Sequence, residues 1–459
     1  MTALKSLFAP TDMTEGTPWK KIVIFTLPML IGNIAQQLYS TVDSIVVGKY
    51  VGDNALAAVG SAGPILNLLL VLFIGISMGA SIMVAQYFGA KQREELSYTI
   101  GNCIVLTGIA SLIIMAVSPV ITRPLLELLE TPPSIIDWCE DYLMILFLGC
   151  AGSAFYNILS GILRGLGDAF WALIALLIST VINIVLDILF VAEFNMGVSG
   201  VAWATIIAQA VSSVICFVRL ARLKEIFDLK LHFMGLRKKF AMGVIRLGLP
   251  SGLTQAIFSM AMIVVQALTN SFGEMFIAAN VIIMRVDGFA MLPNFSFGTA
   301  MTTYAGQNVG AGSMERVTKG AKQGTILAVA TSATLTGLIL IFGKFLMGIF
   351  TDTTELVELS RNMMSIIALG YVAMAVTQSL SGVMRGAGDT MTPMWISLFT
   401  TIVVRLPIAY GIAWLTRSAE FPNGRQECIF ISLLCAWLMG AIVTAILYLR
   451  GGWKKKIRF

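Results

Sequence analysis

The chain has 459 residues, of which 57% are hydrophobic and only 12% charged. That is too apolar and too poor in charge for a water-soluble globular protein, so lipid is the expected solvent. The net charge of +6 is a matter of membrane topology and carries no nucleic-acid signal.

The N-terminal stretch up to Lys21 is polar and lacks the short apolar core and small-residue cleavage site of a removable signal peptide, so the first span is expected to do the targeting. Apolar runs of about 20 residues, enough to cross about 30 Å of hydrocarbon, then recur about twelve times. They fall near 20–47, 55–88, 95–118, 134–158, 170–192 and 197–220, and again near 243–270, 276–305, 322–345, 356–380, 392–415 and 428–450. Basic residues cluster on alternate loops and tails: Lys20 and Lys21, Lys91 and Arg93, Arg164, the run 219–239, Arg316, Lys319 and Lys322, Arg385, and Lys454 to Lys456. The loops between carry acids such as Glu127, Asp137, Glu140, Asp141, Asp352 and Glu355. The positive-inside rule makes the basic side cytoplasmic and places both termini there, in a multi-pass protein of the cell inner membrane. Six cysteines (Cys103, Cys139, Cys150, Cys216, Cys428, Cys435) lie in or beside apolar runs without metal-like spacing, and read as packing residues.

An internal repeat organises the chain. Gly161-Ile-Leu-Arg-Gly-Leu-Gly-Asp168 returns as Gly382-Val-Met-Arg-Gly-Ala-Gly-Asp389, 221 residues on; Gln86, Gly89 and Ala90 return at Gln307, Gly310 and Ala311, and Gly52 at Gly273, with the same offset. The offset contains six spans, an even number, so both copies run the same way. The expected fold is therefore all-α, with twelve transmembrane helices in two six-helix bundles related by a parallel pseudo-two-fold axis along the membrane normal, a transporter architecture. The expected domains are 1–218, a cytoplasmic amphipathic connector over 219–240, and 241–459. The Arg-Gly-x-Gly-Asp turns suit a tight bend, with Arg and Asp placed to pair across it.

Charged groups inside a membrane are costly and default to function. Asn33, Gln36, Ser40 and Asp43 share one face of the first span, and Ser179, Asn183 and Asp187 one face of the fifth. The second half has no counterpart: Asn183 and Asp187 correspond to Val404 and Ile408, with Arg405 and Pro407 between. Its own charged pair is Arg285 and Asp287, expected to join each other or partners elsewhere. Gln255, Ser259 and Gln266 form a polar stripe on the seventh span.

Over essentially its whole length the chain resembles the multidrug and toxic compound extrusion (MATE) family. The resemblance rests on the six-plus-six repeat, Val42-Asp43 with Gly48, the two Arg-Gly-x-Gly-Asp turns, and Gly306-Gln-Asn-Val-Gly310-Ala-Gly312. It implies a secondary multidrug exporter that antiports organic, often cationic, compounds against protons or sodium ions by alternating access, with no cofactor beyond the coupling ion. The first half is similar to the DinF-like branch, which implies a cation or proton site at Asp43, Asn183, Asp187 and Thr205, a hinge at Pro28, and Gln36 and Tyr39 in the polar cavity. Asn157, Gln255, Met284, Asp287 and Met291 are expected to complete the substrate cavity. The oxygen set suits a hard cation, and two neighbouring acids suit one shared proton equally well. Expected partners are small organic substrates and the lipid bilayer, with the chain a monomer.

Two other classes share some of these features. A lipid-linked oligosaccharide flippase of the same superfamily would favour extra spans and a strongly basic cavity. An intramembrane enzyme finds support only in Gly75-Ile-Ser-Met-Gly79, a GxSxG match inside an apolar run, and the lone His232 lies in the connector. Helix packing explains the two glycines better.

Overall fold

The computed structural model describes residues 9–128 and 131–457. Its helices are α1 (Pro18–Tyr50), α2 (Asp53–Gly89), α3 (Arg93–Leu128), α4 (Ile136–Leu148), α5 (Cys150–Gly165), α6 (Ala169–Asp187), α7 (Gly197–Arg222), α8 (Lys238–Asn270), α9 (Glu274–Gly310), α10 (Met314–Gly348), α11 (Thr354–Ala368), α12 (Gly370–Gly386), α13 (Met391–Leu398), α14 (Leu406–Leu415) and α15 (Cys428–Arg450). Wider π-helical turns, Ile188–Glu193 and Phe399–Arg405, follow α6 and α13. Among the described residues ten helical stretches are long and apolar enough to cross a membrane, and two bent pairs, α4 with α5 and α11 with α12, bring the number to twelve. Large apolar side chains such as Leu112, Val120, Ile341 and Phe345 stand exposed on helix faces, where only lipid satisfies them.

The chain forms two compact units: 27–252 with the N-terminal residues up to Asp12, and 253–459 with Met13–Thr26. The connector and the first part of α8 thus group with the first unit, and α1 passes from one unit to the other between Thr26 and Leu27, next to Pro28. In the first unit α2 packs on α5, α5 on α7 and α7 on α6; in the second α9 packs on α12, which meets α10 and α15. The first unit has two apolar cores. One gathers Val47, Phe73, Leu143, Phe147 and Val201, the other Met83, Leu163, Phe227 and Phe240. The second unit is built around Phe276, Ile283, Tyr371, Met374 and Phe430.

Small residues at repeated positions explain why the two halves fold alike. A Cβ at Gly161 would strike Ser77 and one at Gly165 the Ser81 carbonyl; 221 residues on, Gly382 lies as tightly against Gly298 and Gly386 against Thr302. Membrane helices gain little from apolar burial between themselves and rely on such close backbone approach. The bends repeat too. α4 and α5 meet at 51° at Gly149, which abuts Ile206, and α11 and α12 meet at 41° beside Gly370, one repeat later, which abuts Trp437. These two spans read as straight helices from hydropathy alone.

Gly75 and Gly79 lie in α2 against Gly248 and Val244 of α8, so their role is packing. A methyl group at Gly79 would collide with the Val244 carbonyl. Gly79→Ala is expected to destabilise the protein by about 1–3 kcal/mol, whereas Gly337→Ala, with nothing within 4 Å, should leave the thermal midpoint in detergent unchanged or raised.

One expectation is corrected. The Arg and Asp of the repeated turns do not pair across them. Asp168 caps α6 through Trp171 N and binds Arg219 of α7 at 2.7 Å, while Arg164 donates to Ser160 Oγ at 3.2 Å. Asp389 accepts from Thr392 N at 3.1 Å and from Lys456 Nζ at 2.8 Å. The reason is backbone geometry: Gly167 and Gly388 take φ of 86° and 96°, a left-handed turn that frees the aspartate to cap the next helix.

The connector is irregular over most of its length. α7 ends at Arg222, and only the single turn Leu231–Met234 interrupts an irregular path to α8. Side chains of α3 hold it instead. Arg93 donates to the carbonyls of Lys224 and Glu225 and pairs with Asp228 at 3.1 Å, which holds the Asp228 carboxyl below its usual range. Asn102 accepts from Arg237 N, and Tyr98 meets His232 at 2.9 Å. These bonds satisfy the backbone and polar groups that a helix would satisfy internally.

The Gly306–Gly312 motif also acquires a role. Gln307 Oε1 accepts from Met13 N at 2.9 Å, Asn308 Nδ2 donates to Met13 O at 3.1 Å, and Arg316 donates to Met13 O and Gly16 O. The segment ahead of α1 is thereby pinned to the α9–α10 turn.

Candidate ion-coupling site

Within the first unit, α1 and α6 bring Asp43, Asn183 and Asp187 together. The four-residue spacing on α6 stacks Asn183 above Asp187 on one face, and both are fully buried. With its amide turned to satisfy both acids, Asn183 Nδ2 donates to Asp43 Oδ1 at 2.9 Å and Asp187 Oδ2 at 3.2 Å. One amide nitrogen thus holds an oxygen of each acid. Asp187 Oδ1 is buried with no hydrogen-bond partner among the described residues, an acceptor that a proton or a hard cation would satisfy.

Tyr39, one helical turn before Asp43, donates to Thr205 Oγ1 of α7 at 3.3 Å, so Thr205 joins the cluster through the tyrosine. Residue spacing did not reveal Tyr142. It sits on the short α4, is 6% exposed, and lies close enough to both acids to feel their charge. Directly after Asp187 the helix widens into the π turn Ile188–Glu193. Such turns shift the facing of side chains and cluster at functional sites.

The remaining candidates are placed as follows. Pro28 is half-buried inside the continuous helix α1, where its missing N–H leaves one backbone bond unmade. Gln36 is exposed on α1. Asn157 of α5 donates to Ser153 O, and its carbonyl accepts from Ser77 Oγ at 2.6 Å, tying α5 to α2. In the second unit Gln255 is exposed, Met291 is buried in the apolar core and Met284 packs against that core. Arg285 is exposed and does not pair with Asp287; Asp287 Oδ1 accepts from Tyr371 Oη of α12 at 2.8 Å.

Comparison with known proteins gives the same architecture. The MatE family model matches residues 28–189 and again 250–411, one match per half. The chain is 28% identical to the probable multidrug resistance protein YoeA of Bacillus subtilis, covering 88% of this chain and 89% of that protein. It is also 28% identical to the probable multidrug resistance protein YpnP of the same organism, covering 96% and 97%. A solved structure described as the outward-facing conformation of a multidrug resistance MATE family transporter of the MOP superfamily superimposes with a TM-score of 0.89 at 24% identity, over 97% of this chain and 100% of that one. With two family matches spanning most of the chain and twelve spans accounted for, this multi-pass membrane protein belongs to the MatE family of transporters.

Proposed function

We propose that the chain is a secondary multidrug exporter that moves organic, often cationic, compounds out of the cell in exchange for protons or sodium ions, by alternating access. The observation that carries this reading is the buried junction of Asp43, Asn183 and Asp187, with one carboxylate oxygen left without a partner among the described residues. A pair of acids this close cannot comfortably carry two negative charges in a low-dielectric setting, so it favours taking up one positive charge, as a proton or an alkali cation. Release of that charge changes how α1 packs on α6, and Pro28 is where α1 gives way most easily. The names of the relatives, probable multidrug resistance proteins, support organic cargo. The basic loops support a cytoplasmic membrane location with both termini inside, and the chain is proposed to act as a monomer.

The test is transport in proteoliposomes holding the purified chain, with an imposed proton gradient or an imposed sodium gradient. Gradient-driven movement of a cationic dye is the expected result. Movement of a lipid-linked sugar with no movement of any cationic dye would overturn it.

A further inference from the structure

The connector between α7 and α8 runs along one side of α3, and its contacts fix how deep it goes. Glu225 O and Asp228 meet Arg93, Asp228 N donates to Ser97 Oγ at 2.9 Å, His232 Nε2 lies 2.9 Å from Tyr98 Oη, and Gly235 O accepts from Asn102 Nδ2 at 3.2 Å. From Arg93 to Asn102 the helix rises about 13 Å. Asn102 is also where the polar start of α3 ends: residues 103–122 contain no charged or amide side chain, a run long enough to cross hydrocarbon. The turn Leu231–Met234 and the start of α8 at Lys238 therefore lie at the level of the lipid headgroups.

At that level the connector is held firmly on one side. The Phe233 ring sits 4.8 Å from that of Tyr98, edge to face, and the Phe233 carbonyl fills the space that a Cβ at Gly101 would need. Arg237 lies over the Tyr98 ring, 3.6 Å from its centre, and donates to Tyr98 Oη. By contrast Leu231 is 85% and Leu236 54% exposed. Lys230, Lys238 and Lys239 are exposed as well, and among the described residues none of them is in an ion pair. No acid falls within residues 229–240. Leucines held out by a fixed backbone are poorly placed in water, and basic side chains gathered in an acid-free segment repel one another. Acyl chains beneath a layer of phosphates answer both needs at once.

We propose that this part of the connector is a docking surface for anionic phospholipids, with Leu231 and Leu236 entering the acyl boundary and Lys230, Lys238 and Lys239 holding the headgroup phosphates. The leaflet is the one on the basic side of the membrane, cytoplasmic by the positive-inside rule. The inference goes beyond the export reading and does not require it. Neutral phospholipid meets the leucines equally well but places an ammonium beside each phosphate, so the lysines discriminate by net charge.

The test is native mass spectrometry of the detergent-purified full chain with dioleoyl phosphatidylglycerol or dioleoyl phosphatidylcholine added at equal concentration. Wild type should hold the phosphatidylglycerol about tenfold or more tightly. Replacing Lys230, Lys238 and Lys239 together by glutamine should remove that preference, and replacing all three by arginine should keep it. Leu231→Gln with Leu236→Gln should weaken both lipids alike, because the acyl chains are common to them. The thermal midpoint without lipid should not move in the glutamine variant, since exposed lysines outside ion pairs contribute little to stability. Equal binding of the two lipids by wild type, or a preference that survives in the glutamine variant, would overturn the inference. So would equal loss in the glutamine and arginine variants with lowered midpoints, which would make the lysines structural. Inorganic phosphate that displaces phosphatidylglycerol at constant ionic strength would overturn it too, by assigning the lysines to a soluble anion. Dye export without a lipid preference leaves the export reading standing and this inference fallen; a lipid preference without export does the reverse.

Discussion

Asp187→Asn is expected to abolish ion-driven transport while leaving the protein folded. Asparagine keeps the shape of aspartate but cannot take up a proton and is a poorer ligand for a cation, so the charge change proposed to drive the cycle disappears. Coupled transport in proteoliposomes should drop to the level of liposomes without protein, and Asp43→Asn should do the same. Stability should move the other way. Asp187 is fully buried with one oxygen unpartnered, and relieving a buried, unsatisfied acceptor is worth about 1–3 kcal/mol, so the thermal midpoint in detergent should rise. Wild-type coupling in both variants would remove the site from the mechanism. A lowered midpoint would mean that the carboxylate is there to hold α1 to α6, and its role would then be packing.

Asp168→Ala should cause the largest loss of stability of any single change considered. The carboxylate is 1% exposed, binds Arg219 at 2.7 Å and caps α6. Burial pushes its carboxyl up even with Arg219 beside it, so the pair does not fully repay the cost of leaving water. The damage from removing one partner therefore comes mainly from leaving a mostly buried guanidinium without its carboxylate, a loss of about 3–5 kcal/mol, with about 1 kcal/mol more for the lost cap. Asp168→Leu combined with Arg219→Met should recover most of it. In the second half Asp389 binds Lys456, which is half exposed, so Asp389→Ala should cost less, since an exposed ammonium returns to water. Thermal midpoints of the three variants decide the matter: equal losses at Asp168 and Asp389, or no recovery in the double variant, would contradict this account.

The contrast between the two turns shows how far a repeated motif can be read. Arg-Gly-x-Gly-Asp and its 221-residue return marked both turns without error, because glycine in a left-handed turn is a local requirement that the chain must meet wherever it bends this way. What the aspartate binds is not local. Arg219 comes from α7 and Lys456 from beyond α15, and no spacing within the motif encodes either. The same holds for Gly149 and Gly370. They too stand one repeat apart, but hydropathy ran through both, because a bend between two apolar helices leaves composition unchanged.

The sequence by itself determined the membrane-spanning architecture, its duplication, and the helix faces that carry Asp43 and the Asn183–Asp187 pair. Solvent and periodicity dictate these: lipid demands long apolar helices with internal backbone bonds, and residues four apart share a face. Only the packing of helices brings it about that Asn183 bridges the two acids, that Tyr39 reaches Thr205, that the connector is held by Arg93 rather than coiled into a helix, and that Asp287 answers to Tyr371 while Arg405 Nε has no acceptor among the described residues. Each of these joins side chains from different helices, and the distance between helices is set by which small residues let their backbones meet.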